Sequence, residues 1–326
     1  MLHPKNKGAI LLTGGAGFIG SAVARRLGEL GYTLVIVDTF SPYYDPKLKE
    51  ARVQHLLREI PHTLYRMDIA DPSAMRQIFQ THAISVVCHL AAQAGVRYAT
   101  QNPFAYGHSN LDGTLTLLEL SKEHHVQNIV LASSSSVYGD ATHYPVKETD
   151  ATDQPISLYA ATKRACELMA HSYHRLYGLP ITCLRFFTVY GPWGRPDMAF
   201  FSFTKAALEG TPIDIYGQGE MARDFTCIDD IVDGIVKALE KRLPWAVVNL
   251  GRGKPESLMH MIELIERATG KTIEKRFLDM QPGDVKKTWA DISLAKQLLG
   301  WEPKISLDEG IKKFVQWYTD YYPQSL

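Results

Sequence analysis

Short apolar runs alternate with helical patterns through the first half of the chain. Residues 9–12, 33–37, 63–67, 85–90, 128–132 and 181–186 predict strands. Most of these runs lack polar alternation, as strands do when helices cover both faces of a parallel sheet. Residues 21–30, 103–124 and 157–177 carry the longer apolar period of helices. Strand–helix–strand alternation predicts a doubly wound α/β fold with a parallel Rossmann-type sheet. Right-handed crossovers leave few topologies for such a sheet.

Beyond Phe187 the rhythm breaks. Pro192, Gly194 and Pro196 fall close together, followed by Pro212, Gly217 and Gly219. Punctuation of this kind suits loops that build a site. Helical patterns return at 228–240, 257–269 and 307–322. We therefore expect a cofactor-binding domain over residues 1–186, with 226–250 returning to it, and a smaller C-terminal substrate-binding region within 187–326. Neither an internal repeat nor a low-complexity segment is visible.

Composition narrows the function classes. The chain has 326 residues, 45% hydrophobic and 21% charged, as globular proteins do. Lysine plus arginine equal aspartate plus glutamate at 35 each, so no global field favours nucleic acid or a membrane surface. Cys88, Cys166, Cys183 and Cys227 stand singly, which argues against a disulfide or metal framework and for buried thiols in a reducing cytoplasm. The first apolar run ends at Gly14, too soon for a signal core or a membrane span. A cytoplasmic protein without a metal site is expected. His89 reads as a packed or hydrogen-bonded histidine, and His124-His125 as a solvated helix end. Trp301, Trp317, Tyr318, Tyr321 and Tyr322 read as helix packing.

Gly14, Gly15, Gly17 and Gly20, with Phe18 and Ile19 between the last two, follow the first strand and open a helix. Glycines here permit a tight turn and let backbone N–H groups approach a pyrophosphate at the helix N-terminus. Asp38 closes the second strand, at the offset expected of the acid that binds an adenosine ribose. Its charge would repel a 2′-phosphate, and no lysine or arginine immediately follows it. NAD is thus favoured over NADP. Asp68-Ile69 ends the third strand. Asp68 could reach the adenine amino group there or cap the helix that begins near Pro72.

Tyr159 and Lys163 lie one helical turn apart and share a face. The ammonium would stabilise a phenolate able to act as a base. Ser133, Ser134, Ser135 and Ser136 follow the apolar run at 128–132, at the carboxyl end of a strand where open α/β sheets bind ligands. A serine hydroxyl there can share a reacting hydroxyl with Tyr159.

The glycine turn, His89-Leu90-Ala91-Ala92, Asn110 with Gly113-Thr114, the serine run, Tyr159/Lys163 and Arg223-Asp224-Phe225 resemble an extended short-chain dehydrogenase/reductase of the NAD-dependent nucleotide-sugar epimerase and dehydratase group. The likeness spans nearly the whole chain. It implies that Ser134, Tyr159 and Lys163 form the catalytic set with Asn110 in support, and that Ala91, Asn110, Tyr159 and Lys163 contact the cofactor. It also implies a helix-paired homodimer.

Within that group the resemblance implies a shared first step: Tyr159 takes the proton of a sugar C4 hydroxyl while the C4 hydride leaves to NAD. In the dehydratases an Asp-Glu pair follows the catalytic hydroxyl residue, and in UDP-glucuronate decarboxylases the second of those positions is acidic. Here the two are Ser135 and Ser136. With no acid or base to carry the ketone onward, hydride return to the opposite face remains, which is epimerisation.

The segments at 93–98, with Arg97, and at 193–199, with Arg195, are similar to those of enzymes that epimerise UDP-glucuronate to UDP-galacturonate. Thr188 stands where UDP-galactose 4-epimerases have asparagine. Ser135, Ser136 and Thr188 would offer neutral hydroxyls to a C6 carboxylate. Oxidation at C4 makes a β-keto acid, so these hydroxyls would hold the C5–C6 bond away from the alignment that loses CO₂. Resemblance gives Arg223 the diphosphate and Asp284 the nucleoside ribose, with Arg195 a second candidate for the phosphates and Arg97 a further residue expected to hold substrate. Two other readings stay open: a 4-epimerase of a neutral UDP-sugar, and a catalytically silent NAD-binding sensor. Intact Ser134, Tyr159 and Lys163 weigh against the sensor.

Overall fold

Every residue of β1 (Ala9–Thr13) is buried, as a strand covered on both faces requires. The computed structural model describes residues 8–281 and 283–322. From β1 the chain turns into α1 (Phe18–Glu29), then β2 (Leu34–Asp38), α2 (Pro46–Leu56), β3 (His62–Arg66), α3 (Pro72–Thr81) and β4 (Ile84–His89). A long helical passage follows, from α4 (Pro103–Tyr106) to α5 (Gly113–Glu123), before β5 (Asn128–Ser134), α6 (Leu158–Tyr177) and β6 (Ile181–Phe186).

The rest of the chain interleaves small strands with helices. β7 (Thr188–Tyr190), α7 (Ala199–Glu209), β8 (Ile213–Tyr216), β9 (Ala222–Arg223) and β10 (Phe225–Cys227) lead into α8 (Ile228–Lys241). β11 (Trp245–Leu250), β12 (Glu256–Ser257), α9 (Leu258–Thr269), β13 (Lys275–Leu278), α10 (Ser293–Leu299) and α11 (Leu307–Tyr321) complete it.

Seven parallel strands hydrogen-bond in the order β11-β6-β5-β4-β1-β2-β3. The winding direction reverses between β1 and β4, and the loops after these two strands part there. Such a switch point opens a crevice at the carboxyl edge of the sheet. Alternate side chains feed separate cores. Ile10, Leu12 and Ile36 join the layer that continues into α8, α9 and α11. Leu11, Val35 and Val37 pack against α3, α5 and α6. Beyond the sheet, β7 pairs with β10, β8 with β13 and β9 with β12.

Local chemistry sets the helix ends. Asp71 caps α3 through the N–H groups of Ser73 and Ala74, with Pro72 in the first turn. Ser157 caps α6, which Gly178 ends in the left-handed conformation at φ 69°. The passage expected as one helix over 103–124 is helical but not uniform. Residues Gly107–Asp112 form a wider π-helical turn, and this turn buries Asn110. The helices α2, α7 and α10 went unread in the sequence, and α3 was read only at its start, near Pro72. For α2 the reason is plain: its buried side comprises Leu48, Lys49, Ala51 and Arg52, so half of the expected apolar stripe is cationic.

Candidate functional site

The crevice is a cavity of about 480 Å³ that runs from the glycine turn to the ends of β5 and β7. At one end stands the N-terminus of α1. Gly17 occupies its cap position, no side chain caps it, and no acidic residue lies in its first turn. Its positive end is left for an anion. Gly14 adopts φ +73°, and a Cβ there would come within 2.7 Å of the Ala91 amide nitrogen. A Cβ on Gly20 would lie 2.0 Å from the Gly14 oxygen. Glycine at 14 lets the turn pack on the loop after β4, and glycine at 20 lets α1 pack on the turn itself.

Asp38, at the end of β2, accepts the Ala16 N–H at 3.0 Å and the Phe40 N–H at 2.8 Å. Lys49 brings its ammonium to 3.6 Å from the same carboxylate. Lys49 lines the cavity and was not singled out in the sequence, because it arrives from α2 through space. Asp68 and Ile69 line the same end. Asp68 binds the Ala70 N–H at 2.9 Å and meets His108 Nε2 at 2.9 Å. It does not cap α3, a task that falls to Asp71. The residues expected to meet a dinucleotide therefore fit NAD: an uncapped helix start faces the cavity, and Asp38, an acid with unfilled acceptor capacity, stands at the end of β2.

At the other end, α6 places Tyr159 and Lys163 in the cavity wall. The Lys163 ammonium donates to the Ala132 carbonyl at 2.9 Å, which pins it to the last turn of β5. Ser134, Ser135, Ser136 and Thr188 line the wall beside them. The Ser136 hydroxyl lies 2.9 Å from the Ser134 oxygen, and the Ser136 N–H donates to that oxygen at 3.2 Å. No protein partner engages the hydroxyls of Ser135 or Thr188 among the described residues. The carboxylates of the wall are Asp38, Asp68 and Asp284; the first two follow β2 and β3, and the third is paired with Arg97.

Two expected contacts fall outside the cavity wall. Asn110 points away from it: its Oδ1 accepts the Gln93 N–H at 2.8 Å, and its Nδ2 donates to Thr162 Oγ1 at 2.9 Å. It supports the loop after β4 from behind, because the π-helical turn swings it inward. Arg97 pairs with Asp284 at 2.9 Å and lies 5.1 Å over the Tyr216 ring. Two residues expected to hold substrate thus hold each other, across 187 positions of sequence.

Arg195 and Arg223 do line the cavity. Arg195 Nε donates to Asp197 at 3.0 Å, and the Tyr43 hydroxyl donates to the same carboxylate at 3.1 Å. Burial opposes the charge on Asp197, but Arg195 prevails and holds that carboxyl below its usual range. Burial pushes Tyr43 up to about 12. Arg223 donates to the carbonyls of Ala222 and Lys286 at 3.0 and 3.2 Å. Burial lowers its affinity for the proton, with Asp284 opposing the shift. A desolvated guanidinium with carbonyl partners is suited to an incoming anion. Behind the wall, buried Arg52 donates to Ala16 O at 3.3 Å and to Trp193 O at 2.8 Å, joining the glycine turn to the loop that carries Arg195.

His89 is buried between two threonines, its Nδ1 2.8 Å from Thr13 Oγ1 and its Nε2 3.0 Å from Thr114 Oγ1. All four cysteines are unpaired and buried. Among the described residues, no group of three or more His, Cys, Asp or Glu is arranged to hold a metal ion.

Comparison with known proteins adds a family to this geometry. The description "NAD dependent epimerase/dehydratase family" matches residues 10–251. A UDP-glucuronate 4-epimerase of Thermodesulfobacterium geofontis is 48% identical over 311 residues, covering 95% of this chain and 96% of that protein. The crystal structure of a Bacillus cereus UDP-glucuronic acid 4-epimerase with UDP-glucuronic acid and NAD superposes with TM-score 0.91 at 38% identity, covering 96% of this chain and all of the other. A UDP-glucose 4-epimerase of Thermotoga maritima with UDP-glucose gives TM-score 0.88 at 35% identity, covering 96% and 99%.

Proposed function

Because the chain belongs to the NAD dependent epimerase/dehydratase family, we propose that it is an NAD-dependent 4-epimerase that interconverts UDP-glucuronate and UDP-galacturonate. The observation that carries this reading is the composition of one wall. Tyr159, Lys163 and Ser134 line the cavity with Ser135, Ser136 and Thr188, and no carboxylate stands beside them to divert a ketone. Residues 1–186 with 226–250 form the dinucleotide half in this reading, and the remainder of 187–326 forms the nucleotide-sugar half.

Each residue has a physical task. When bound, NAD supplies the acceptor and later the donor of the C4 hydride. Gly14, Gly17, Phe18, Ile19 and Gly20 hold its pyrophosphate at the start of α1, Asp38 takes the adenosine ribose, and Asp68, Ile69 and Ala91 border the rest. Tyr159 accepts the proton of the sugar C4 hydroxyl, and Lys163, anchored on Ala132, stabilises the phenolate. Ser134 shares the reacting hydroxyl and keeps its oxygen in place. Arg223 and Arg195 grip the diphosphate while the sugar turns, and the ketone then presents its opposite face for reduction. The Tyr159 proton returns to the new C4 oxygen. Ser135 and Thr188 bind the C6 carboxylate in both orientations, while Asp284 and Arg97 close the nucleoside end.

The neutral wall also suits a hydroxymethyl group at C6, so a neutral UDP-sugar is the second reading. NMR of UDP-glucuronate with protein and NAD⁺ tests the first. UDP-galacturonate should accumulate with little UDP-xylose or UDP-arabinose and no net NADH. Faster turnover of UDP-glucose in direct competition would favour the second reading. Absence of turnover on both would leave the silent sensor.

We also propose a homodimer in the cytoplasm. Phe104, Leu115, Leu168, Leu176 and Tyr177 are exposed on α4, α5 and α6, with Phe104 87% and Leu176 69% accessible. Apolar residues so exposed on neighbouring helices suit pairing with a second copy. The four unpaired thiols suit a reducing compartment, and no helix among the described residues is long and apolar enough to cross a membrane.

A further inference from the structure

We propose that Glu167 is a positioning residue for the reaction, which with Arg185 sets the spacing between the Ser134 hydroxyl and the Tyr159 phenol. The inference rests on the functional reading above and concerns groups that the chemistry itself does not touch.

Tyr159, Lys163 and Glu167 follow one another at successive turns along one face of α6. The end of β5 is fastened to two of those turns in step. Lys163 donates to the Ala132 carbonyl at 2.9 Å, and the Ser133 hydroxyl donates to Glu167 Oε1 at 2.6 Å. The next residue along the strand is Ser134. Because side chains alternate across a strand, fixing Ser133 toward α6 turns Ser134 to the other side. Ser134 lines the cavity, and Ser133 is buried.

Arg185 locks this junction from β6, where it stands in register with Ser133. Its Nε and Nη2 each meet a different Glu167 oxygen at 2.8 Å, a bidentate pair whose side chains are 1% and 2% exposed. Its Nη1 donates to the Glu148 carbonyl at 3.2 Å, and its guanidinium lies 4.8 Å over the Tyr138 ring. Tyr138 in turn donates to Asn249 at 2.6 Å. The short helical turn Ser135–Tyr138 that follows Ser134 is therefore held on the same pair. Arg164 adds a contact at 2.8 Å to Glu167 from the rim.

A buried ion pair is poor evidence of stabilisation, since apolar residues of similar volume often serve as well or better. What a bidentate pair adds is direction, because its two parallel hydrogen bonds fix a rotation that an apolar contact leaves free. Here the fixed rotation is set one residue before Ser134 on β5 and two turns along α6 from Tyr159, the two groups that must converge on one hydroxyl. Displacing a reacting group by about 1 Å can cost roughly 100-fold in rate.

The same asymmetry supplies the test. The double variant E167L/R185M replaces both charges and keeps the volume, so it should fold with a melting temperature close to that of the wild type. Ser133→Ala leaves the ion pair intact and removes only its link to β5. Both are assayed as holoenzymes on the nucleotide-sugar that the wild type turns over. The expected result is a kcat lowered at least tenfold in the double variant and several-fold in Ser133→Ala, with KM for the nucleotide-sugar within about threefold of wild type. Glu167→Asp should recover part of the loss. Wild-type kcat in Ser133→Ala together with either wild-type kcat in the double variant or its failure to fold would overturn the proposal and leave the pair a structural one. A wild-type protein that turns over no nucleotide-sugar would instead overturn the functional reading and the inference with it.

Discussion

Lys49 holds its ammonium 3.6 Å from the Asp38 carboxylate, and both groups are buried at the glycine-turn end of the cavity. Asp38 already receives two backbone N–H groups, from Ala16 and Phe40, so its carboxylate is fixed in orientation before any ligand arrives. The pair makes the choice between NAD and NADP a balance of two charges. Asp38→Ser removes the repulsion toward a 2′-phosphate and leaves Lys49 to attract it. Hydrogen bonds to a charged group contribute about 1.5–3 kcal/mol, so NAD should bind Asp38→Ser at least tenfold more weakly, with NADP gaining. Adding Lys49→Met should cancel the NADP gain. Dissociation constants for both dinucleotides check this, and an unchanged NAD-to-NADP ratio in Asp38→Ser would contradict it.

The hydroxyl wall divides its labour. The Ser136 hydroxyl lies within hydrogen-bond distance of Ser134, whereas the hydroxyls of Ser135 and Thr188 have no protein partner among the described residues. The sequence offered all three as equal ligands of a carboxylate. Ser135 and Thr188 are the freer donors, and in the proposed reading they are the groups that keep the C5–C6 bond of a 4-ketouronate out of alignment. Thr188→Val should raise the fraction of UDP-pentose formed from UDP-glucuronate several-fold, and more than Ser136→Ala does. Ser136→Ala should act mainly on kcat, because Ser134 loses its neighbour. Product ratios by NMR decide the matter, and a larger pentose fraction from Ser136→Ala would reverse the assignment.

The parallel sheet was legible because strands buried on both faces are apolar throughout, and the reading of residues 181–186 coincides with β6. The glycine turn, Asp38 and the serine–tyrosine–lysine set were legible for a related reason: they sit at strand ends and helix starts, where local spacing dictates position. The illegible features are those made by distance in sequence. Lys49 and Arg52 occupy the buried side of α2 as cations, so no apolar stripe announced that helix. Asn110 turns inward only because the helix widens at Gly107–Asp112. Arg97 and Asp284 each carried a resemblance to a ligand-binding residue, and nothing local told that they meet.

The exposed apolar strip on α4, α5 and α6 gives the proposed dimer a direct test. Leu168 and Leu176 lie two turns apart on one face of α6, both solvent-exposed. A glutamate at each position would bring like charges into a self-complementary interface and desolvate them. Leu168→Glu/Leu176→Glu should run as a monomer in light scattering at concentrations where the wild type is a dimer, with each chain still folded. A wild-type monomer would refute the proposal outright.

His89 predicts the acid sensitivity of the fold. It is buried, and burial, with a smaller contribution from the Lys163 charge, pushes its pKa down to about 3. In the neutral ring one nitrogen donates and the other accepts between the Thr13 and Thr114 hydroxyls. In the unfolded chain a histidine titrates near 6.5. Above that value both states are neutral, and His89 contributes no slope. Between about 6.5 and 3 the unfolded state binds a proton that the folded state refuses, so stability falls as the pH falls, by at most about 1.4 kcal/mol per unit. Asp224 acts in the opposite sense over part of this window. Burial pushes it up to about 6, so the folded state holds its proton more tightly, and its contribution declines as the pH rises from about 4 to 6. Comparing the wild type with His89→Gln cancels that term. Urea unfolding between pH 5 and 8 should show His89→Gln less stable at neutral pH but flatter toward acid, by nearly one proton. Parallel curves for the two proteins would mean that the His89 ring takes up its proton inside the fold.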